Sequence, residues 1–145
     1  MTVRHPSHLD SRLTRWVSQV LLDEAPATLS DADGYTRVAV SRRVDDVPHS
    51  GEATDVLSVI TVDGDLDIDT APLLLAVLVQ ELRTGDVCCD LTHVPFLAAA
   101  GTHALLAAHN YAIGQGRSFW YRGAHGITAQ VMAIADPDEV VPRRP

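Results

Sequence analysis

The residues with the most chemical potential lie in the run Asp63, Gly64, Asp65, Leu66, Asp67, Ile68, Asp69, where carboxylates alternate with small or apolar residues. Alternating carboxylates invite comparison with a calcium loop. An EF-hand loop opening at Asp63 would need Gly at its sixth position and Glu at its twelfth, and those positions hold Ile68 and Leu74. The run is expected to be a solvated strand end whose acids suit the N-terminus of a following helix, with no metal. Seven histidines, at 5, 8, 49, 93, 103, 109 and 125, include no HExxH pair. His103 and His109 are separated by about 600° of helical rotation and cannot face one ligand. Gly116, Arg117, Ser118 lacks the closing Gly of a nucleophile elbow, and neither a GxxxxGKS phosphate loop nor a GxGxxG occurs. The residues thus predict neither an enzyme nor a cofactor.

The elements that would position any site belong to one domain, because 145 residues are too few for two large ones. Hydrophobic residues at 46% and charged residues at 21% are sufficient for a packed core. Eleven Lys and Arg against nineteen Asp and Glu leave −8, so no net field attracts a phosphate backbone, and direct nucleic-acid binding is not expected. Cys88 and Cys89 are adjacent in a strand-like run, which sends them to opposite faces as packing residues, and a reducing cytoplasmic location fits them. Residues 1–20 carry Arg4, Asp10, Arg12 and Arg15 without an apolar signal core, and no stretch approaches the roughly 18 apolar residues of a membrane span.

Along the chain, Leu9, Leu13, Trp16, Val17, Val20 and Leu21 fall at helical spacing in 7–23, with Arg12, Arg15 and Gln19 on the other side. A polar linker at 30–34 leads to an alternating strand over 36–44, expected at a sheet edge, then a loop and a β-branched central strand over 56–62. Asp69 or Thr70 can cap a helix carrying Pro72 in its first turn and Leu75, Leu78, Val79 and Leu82 as its buried stripe. A strand at 87–91, a helix at 101–113, a strand at 118–121 and a short helical stripe of Ile127, Val131, Ile134 and Ala135 follow, before an irregular tail from 136. This order predicts an α/β fold, a single domain with a mixed sheet covered by helices and an additional N-terminal helix. The expected division is 1–30 for the helical extension, 36–141 for the domain and 142–145 for the tail. The extension would cover the sheet or a sister subunit in a homodimer.

Two segments together resemble the STAS domains of the anti-sigma factor antagonist family. Val62, Asp63, Gly64, Asp65, Leu66, Asp67 followed by Thr70, Ala71 is similar to that family's "GELD then TA" signature. The strand 87–91, a turn, and Phe96, Leu97, Ala98, Ala99, Ala100, Gly101 is similar to its Phe-x-Asp-Ser-Ser-Gly loop opening a helix. The resemblance runs over about 36–141. It implies a non-enzymatic, bacterial interaction domain in transcription regulation that binds an anti-sigma factor, often one with a kinase-like ATPase fold, through the surface around that loop. The partner phosphorylates the loop's first serine to break the complex. Here Ala98, Ala99 and Ala100 replace Asp-Ser-Ser, only Gly101 of the four is kept, and Thr102 is the nearest hydroxyl. The partner-binding residues implied are Asp67, Ala98, Ala99, Ala100, Gly101 and Thr102. A second reading, from a different class, is a STAS-like accessory subunit of a transporter or a small-ligand or nucleotide sensor.

Overall fold

A computed structural model of the chain describes residues 27–30, 37–47 and 55–145. The strands β1 (Ala27–Ser30), β2 (Arg37–Val47), β3 (Asp55–Asp63), β4 (Asp86–His93) and β5 (Phe119–Arg122) form one sheet in chain order. Helices α1 (Ala71–Leu82) and α2 (Ala99–Gly114) connect β3 to β4 and β4 to β5, and α3 (Gly126–Ala135) follows β5. The first two strand pairs are antiparallel and the last two parallel. Parallel neighbours need a crossover of helical length, and two successive right-handed crossovers stepping the same way along a sheet place both helices on one face.

The strand registers sort side chains between a helix-covered face and the opposite one. Val40 opposes Val62, Ile60 opposes Cys89, and Cys89 opposes Tyr121. These residues, with Val38, Val87, Leu91 and Phe119, are buried together with Leu74, Val77, Leu78 and Leu82 of α1 and Leu105, Ala108 and Ala112 of α2. That is the core. The alternate residues, Val59 on β3, Cys88 on β4 and Trp120 on β5, are in register on the other face. Burial pushes the thiols of both Cys88 and Cys89 up, so each is a packing group rather than a nucleophile.

Several features differ from the sequence expectation for physical reasons. The strand expected at an edge is internal, because β1 pairs with it through Ala27 to Val40 and Ser30 to Arg37; β1 is only four residues long, too short to show a period. The tail is irregular as expected, yet it is tied alongside β5: Tyr121 N–H donates to Pro142 O at 3.1 Å and Arg144 N–H to Tyr121 O at 2.9 Å. This pairing covers an otherwise open edge, and the Arg144 guanidinium lies 4.1 Å from the Trp120 ring centroid. In α3 the expected apolar stripe is split: Ile127 is 55% and Ile134 79% exposed, Val131 is half-buried against the core, and Thr128 and Met132 are buried. Thr128 Oγ1 donates to Val94 O at 2.9 Å, which lets a polar residue serve as the anchor of that helix. The helix expected at 7–23 lies outside the described residues.

One buried polar group ties the helix layer to the antiparallel half of the sheet. Glu81 of α1 is 5% exposed and accepts hydrogen bonds from Ser58 Oγ at 2.9 Å and Arg42 Nη1 at 3.1 Å. Glu81→Ala should lower the unfolding free energy by about 2 kcal/mol, since it strands a buried hydroxyl and removes the carboxylate beside Arg42. Glu81→Gln, which keeps an acceptor, should cost less. Urea unfolding of both variants checks the order; a Glu81→Ala midpoint equal to the parent's would contradict it.

Candidate functional site

The loops that lead into α1 and α2 are stitched to each other. Leu66 N–H donates to Phe96 O at 2.9 Å, and Ala98 N–H donates to Leu66 O at 2.8 Å, so Leu66 and Leu97 form an isolated parallel bridge. Both leucines are buried. Gly101, one turn into α2, packs against this bridge; a Cβ there would run into the Leu97 side chain and lie 3.1 Å from Leu66 Cβ and 3.2 Å from Leu66 O. Gly101 is therefore required by packing, because anything larger pushes α2 off the β3–α1 loop.

Asp67 organises the same loop from the α1 side. Its Oδ1 accepts from the backbone N–H groups of Asp69 and Thr70, each at 2.9 Å, the arrangement of a carboxylate capping a helical turn. Thr70 Oγ1 accepts from Asp67 N–H at 2.9 Å and donates to Asp65 O at 2.7 Å, closing the loop on itself. Of the two residues expected to cap α1, Asp69 or Thr70, Thr70 stands at the N-cap, but its side chain makes no capping hydrogen bond, and the Asp67 carboxylate caps the turn ahead of it instead. The α2 start, in contrast, has Ala98 at its N-cap with extended backbone and no side-chain hydrogen bond.

The surface around this stitch is apolar at its centre. Ile68 is 74% and Phe96 45% exposed, Ala99 is exposed, and Ala98 and Ala100 are half-buried. An open groove of about 310 Å³ runs between α1 and α2, lined by Ile68, Ala71, Pro72, Leu75, Ala100, His103 and Ala104. Asp63, Asp65 and Asp69 are exposed along the same β3–α1 loop and give the patch an acidic border. Among the described residues no group of three or more His, Cys, Asp or Glu is placed to hold a metal ion. The arrangement can hold a protein surface by apolar contact with complementary charge at the rim.

Of the six residues singled out from sequence, the structure brings Asp67, Ala98, Ala99 and Ala100 to this surface and puts Gly101 and Thr102 beneath it. Thr102 is fully buried and its hydroxyl donates to Met132 Sδ of α3 at 3.4 Å. Sequence reasoning missed Ile68, Phe96, Pro72, Leu75 and His103. The exposed Ile68, lying among four acids, was the available signal.

The Thr70 backbone N–H, with help from that of Asp69 and the Thr70 hydroxyl, holds the Asp67 carboxyl below its ordinary range. Its ionised form therefore stabilises the fold above the unfolded pKa of about 3.9, and that contribution is lost as pH falls through the lower folded value. Asp67→Ala should cost about 1 kcal/mol at pH 7. The difference from the parent should shrink below about pH 4; thermal melts across pH 2.5–7 that keep a constant difference would contradict this role.

A family model described as "Mlab, STAS domain" matches residues 49–142. The crystal structure of an anti-sigma factor antagonist from Mycobacterium paratuberculosis is 25% identical, covering 81% of this chain and 91% of that one with a TM-score of 0.56. The anti-sigma factor antagonist SpoIIAA in its unphosphorylated form is 11% identical, covering 72% of this chain and 88% of its own at a TM-score of 0.50, a likeness of fold. No curated protein gives a match. The matched span contains β3, the stitched loops and the three helices of the described residues, and on that ground the chain belongs to the STAS domain family.

Proposed function

We propose that this protein is an anti-sigma factor antagonist without the serine switch, a non-enzymatic binding domain whose partner is an anti-sigma factor with a kinase-like ATPase fold in the cytoplasm. Its docking surface is the patch formed by Asp67, Ile68, Phe96, Ala98, Ala99 and Ala100 with the groove behind them. The observation that carries this reading is the exposed apolar patch at the paired starts of α1 and α2, in a chain 25% identical to an antagonist over most of both lengths. STAS domains are generally binding modules, in keeping with a surface that offers apolar contact area.

Two features support loss of the switch. Residues 98–100 carry no hydroxyl, and Thr102 Oγ1 is sealed under α3, where a kinase could reach it only after α2 and α3 separate. Phosphate would add about −1.5 to −2 charges at the α2 start, and without an acceptor there the complex has no such means of release. With an anti-sigma factor and ATP, the parent should acquire no phosphate on 98–102, whereas Ala99→Ser should be modified at the new hydroxyl. Phosphopeptide mapping reads both, and phosphate on Thr102 of the parent would sink the claim.

The docking surface itself is tested by charge. Ala99 is exposed, so Ala99→Glu leaves the fold intact, and an acid is well tolerated in the first turn of a helix. Buried in a contact, that carboxylate is an unpaired charge costing several kcal/mol, a loss of 100-fold or more in affinity. Titration calorimetry of Ala99→Glu and Ala99→Ser against the anti-sigma factor should show that loss for Glu and near-parental binding for Ser. Equal binding of all three forms would remove this surface from the interface.

A further inference from the structure

A pocket that shares no residue with the docking patch opens between α3 and the chain that returns along β5. It holds about 150 Å³, and its lining includes Tyr121, Ala129, Met132, Asp136, Glu139 and Arg143. Tyr121 is 5% exposed and belongs to the core cluster, yet among the described residues its hydroxyl has no hydrogen-bond partner. Burial pushes the phenol above its ordinary range, and the charges that act on it are those of Arg143, Asp136 and Glu139, so its oxygen lies among the charged groups of the pocket. A buried tyrosine ordinarily finds a partner for its hydroxyl. Here the pocket is where that partner must come from.

The three charged groups are not equivalent. Both Asp136 oxygens are engaged by the backbone, Oδ1 accepting from Val140 N–H at 2.9 Å and Oδ2 from Val141 N–H at 3.0 Å, and they hold the turn over 136–141. Glu139 stands on that turn at φ 50°, a left-handed position that usually falls to Gly or Asn. Arg143 is fixed beside Tyr121 by the two backbone hydrogen bonds that flank it, from Tyr121 N–H to Pro142 O and from Arg144 N–H to Tyr121 O. Glu139 and Arg143 are exposed, and among the described residues neither is in an ion pair. The pocket therefore offers one anion and one cation, each on a fixed backbone, beside a buried hydroxyl that can donate and accept.

The matching ligand carries both charges and little bulk, since a space of about 150 Å³ holds roughly six non-hydrogen atoms. We propose that this pocket binds a small zwitterionic amino acid, its carboxylate on Arg143 and the Tyr121 hydroxyl, its ammonium on Glu139 and its side chain against Ala129 and Met132. A ligand of one charge would leave Arg143 or Glu139 unmatched.

Titration calorimetry and amide NMR of the full chain test this with L-alanine, L-serine and L-threonine, each alone, and with ethylamine and propionate, which keep one charge apiece. At least one amino acid should bind saturably with a Kd of about 1 mM or below, shifting amides within 121, 129–133 and 139–143, and ethylamine and propionate should each bind about tenfold more weakly. Arg143→Gln, Glu139→Gln and Tyr121→Phe should each weaken that amino acid by about tenfold, whereas Arg117→Gln, outside the pocket, should bind like the parent. The first two replace exposed side chains and the third keeps the core ring, so the fold is retained. Absence of saturable binding by all three amino acids, shifts confined to other residues, or parental affinity in Glu139→Gln or Arg143→Gln overturns the proposal. Ethylamine or propionate binding as tightly as the amino acid assigns the pocket to a singly charged ligand and overturns it equally.

Discussion

The stitch between the β3–α1 and β4–α2 loops is the constraint from which the candidate surface follows. Two backbone hydrogen bonds, Leu66 to Phe96 and Ala98 to Leu66, hold two helix starts side by side. They can form only because Gly101 lets α2 close on Leu66 and Leu97 without a Cβ between them. Parallel strands set the spacing of the loops, the loops set the approach of the helices, and the helices leave Ile68, Phe96 and Ala99 facing outward. The position of Asp67 follows from the same arrangement, since its carboxylate must cap the turn that leads into α1.

In the proposed function, a surface built this way would separate docking from switching. The apolar centre supplies area to be removed from water, and the aspartates along its border disfavour partners that bring acid to the rim. A hydroxyl at Ala98, Ala99 or Ala100 would place a removable charge in the middle of that contact. In the proposed function, alanine at all three would leave the contact to depend on the abundance of the partner rather than on phosphate. The interior hydroxyl of Thr102 does a different task, bonding Met132 and fastening α3 to α2.

Much of the fold was legible because its signals are periodic: the helix α1, the β-branched run of β3 and the apolar run of β4 stand where the spacing placed them, although the buried side of α1 is turned to Leu74, Val77, Leu78 and Leu82 and leaves the expected Leu75 and Val79 half-buried. Where pattern failed, the structure was using something other than pattern. β1 is four residues held by its register with β2, and the tail is held by two backbone hydrogen bonds to Tyr121, neither of which leaves a side-chain trace. In α3 a threonine and a methionine take the buried side while isoleucines face out, because Thr128 finds a carbonyl at Val94. The same distinction governs the site. Asp67 and the three alanines were readable from the motif, whereas the burial of Gly101 and Thr102 and the exposure of Ile68 and Phe96 depend on how two loops distant in sequence come together.

The central claim is that the paired helix starts form the binding surface. Amide hydrogen exchange of the full chain, free and in complex with an anti-sigma factor, tests it most directly. The account predicts slowed exchange concentrated in 66–75 and 96–104, with α3 and the tail beside β5 unchanged. Slowing confined to 126–135 or to the β5 edge, with the stitched loops exchanging as in the free chain, would contradict it.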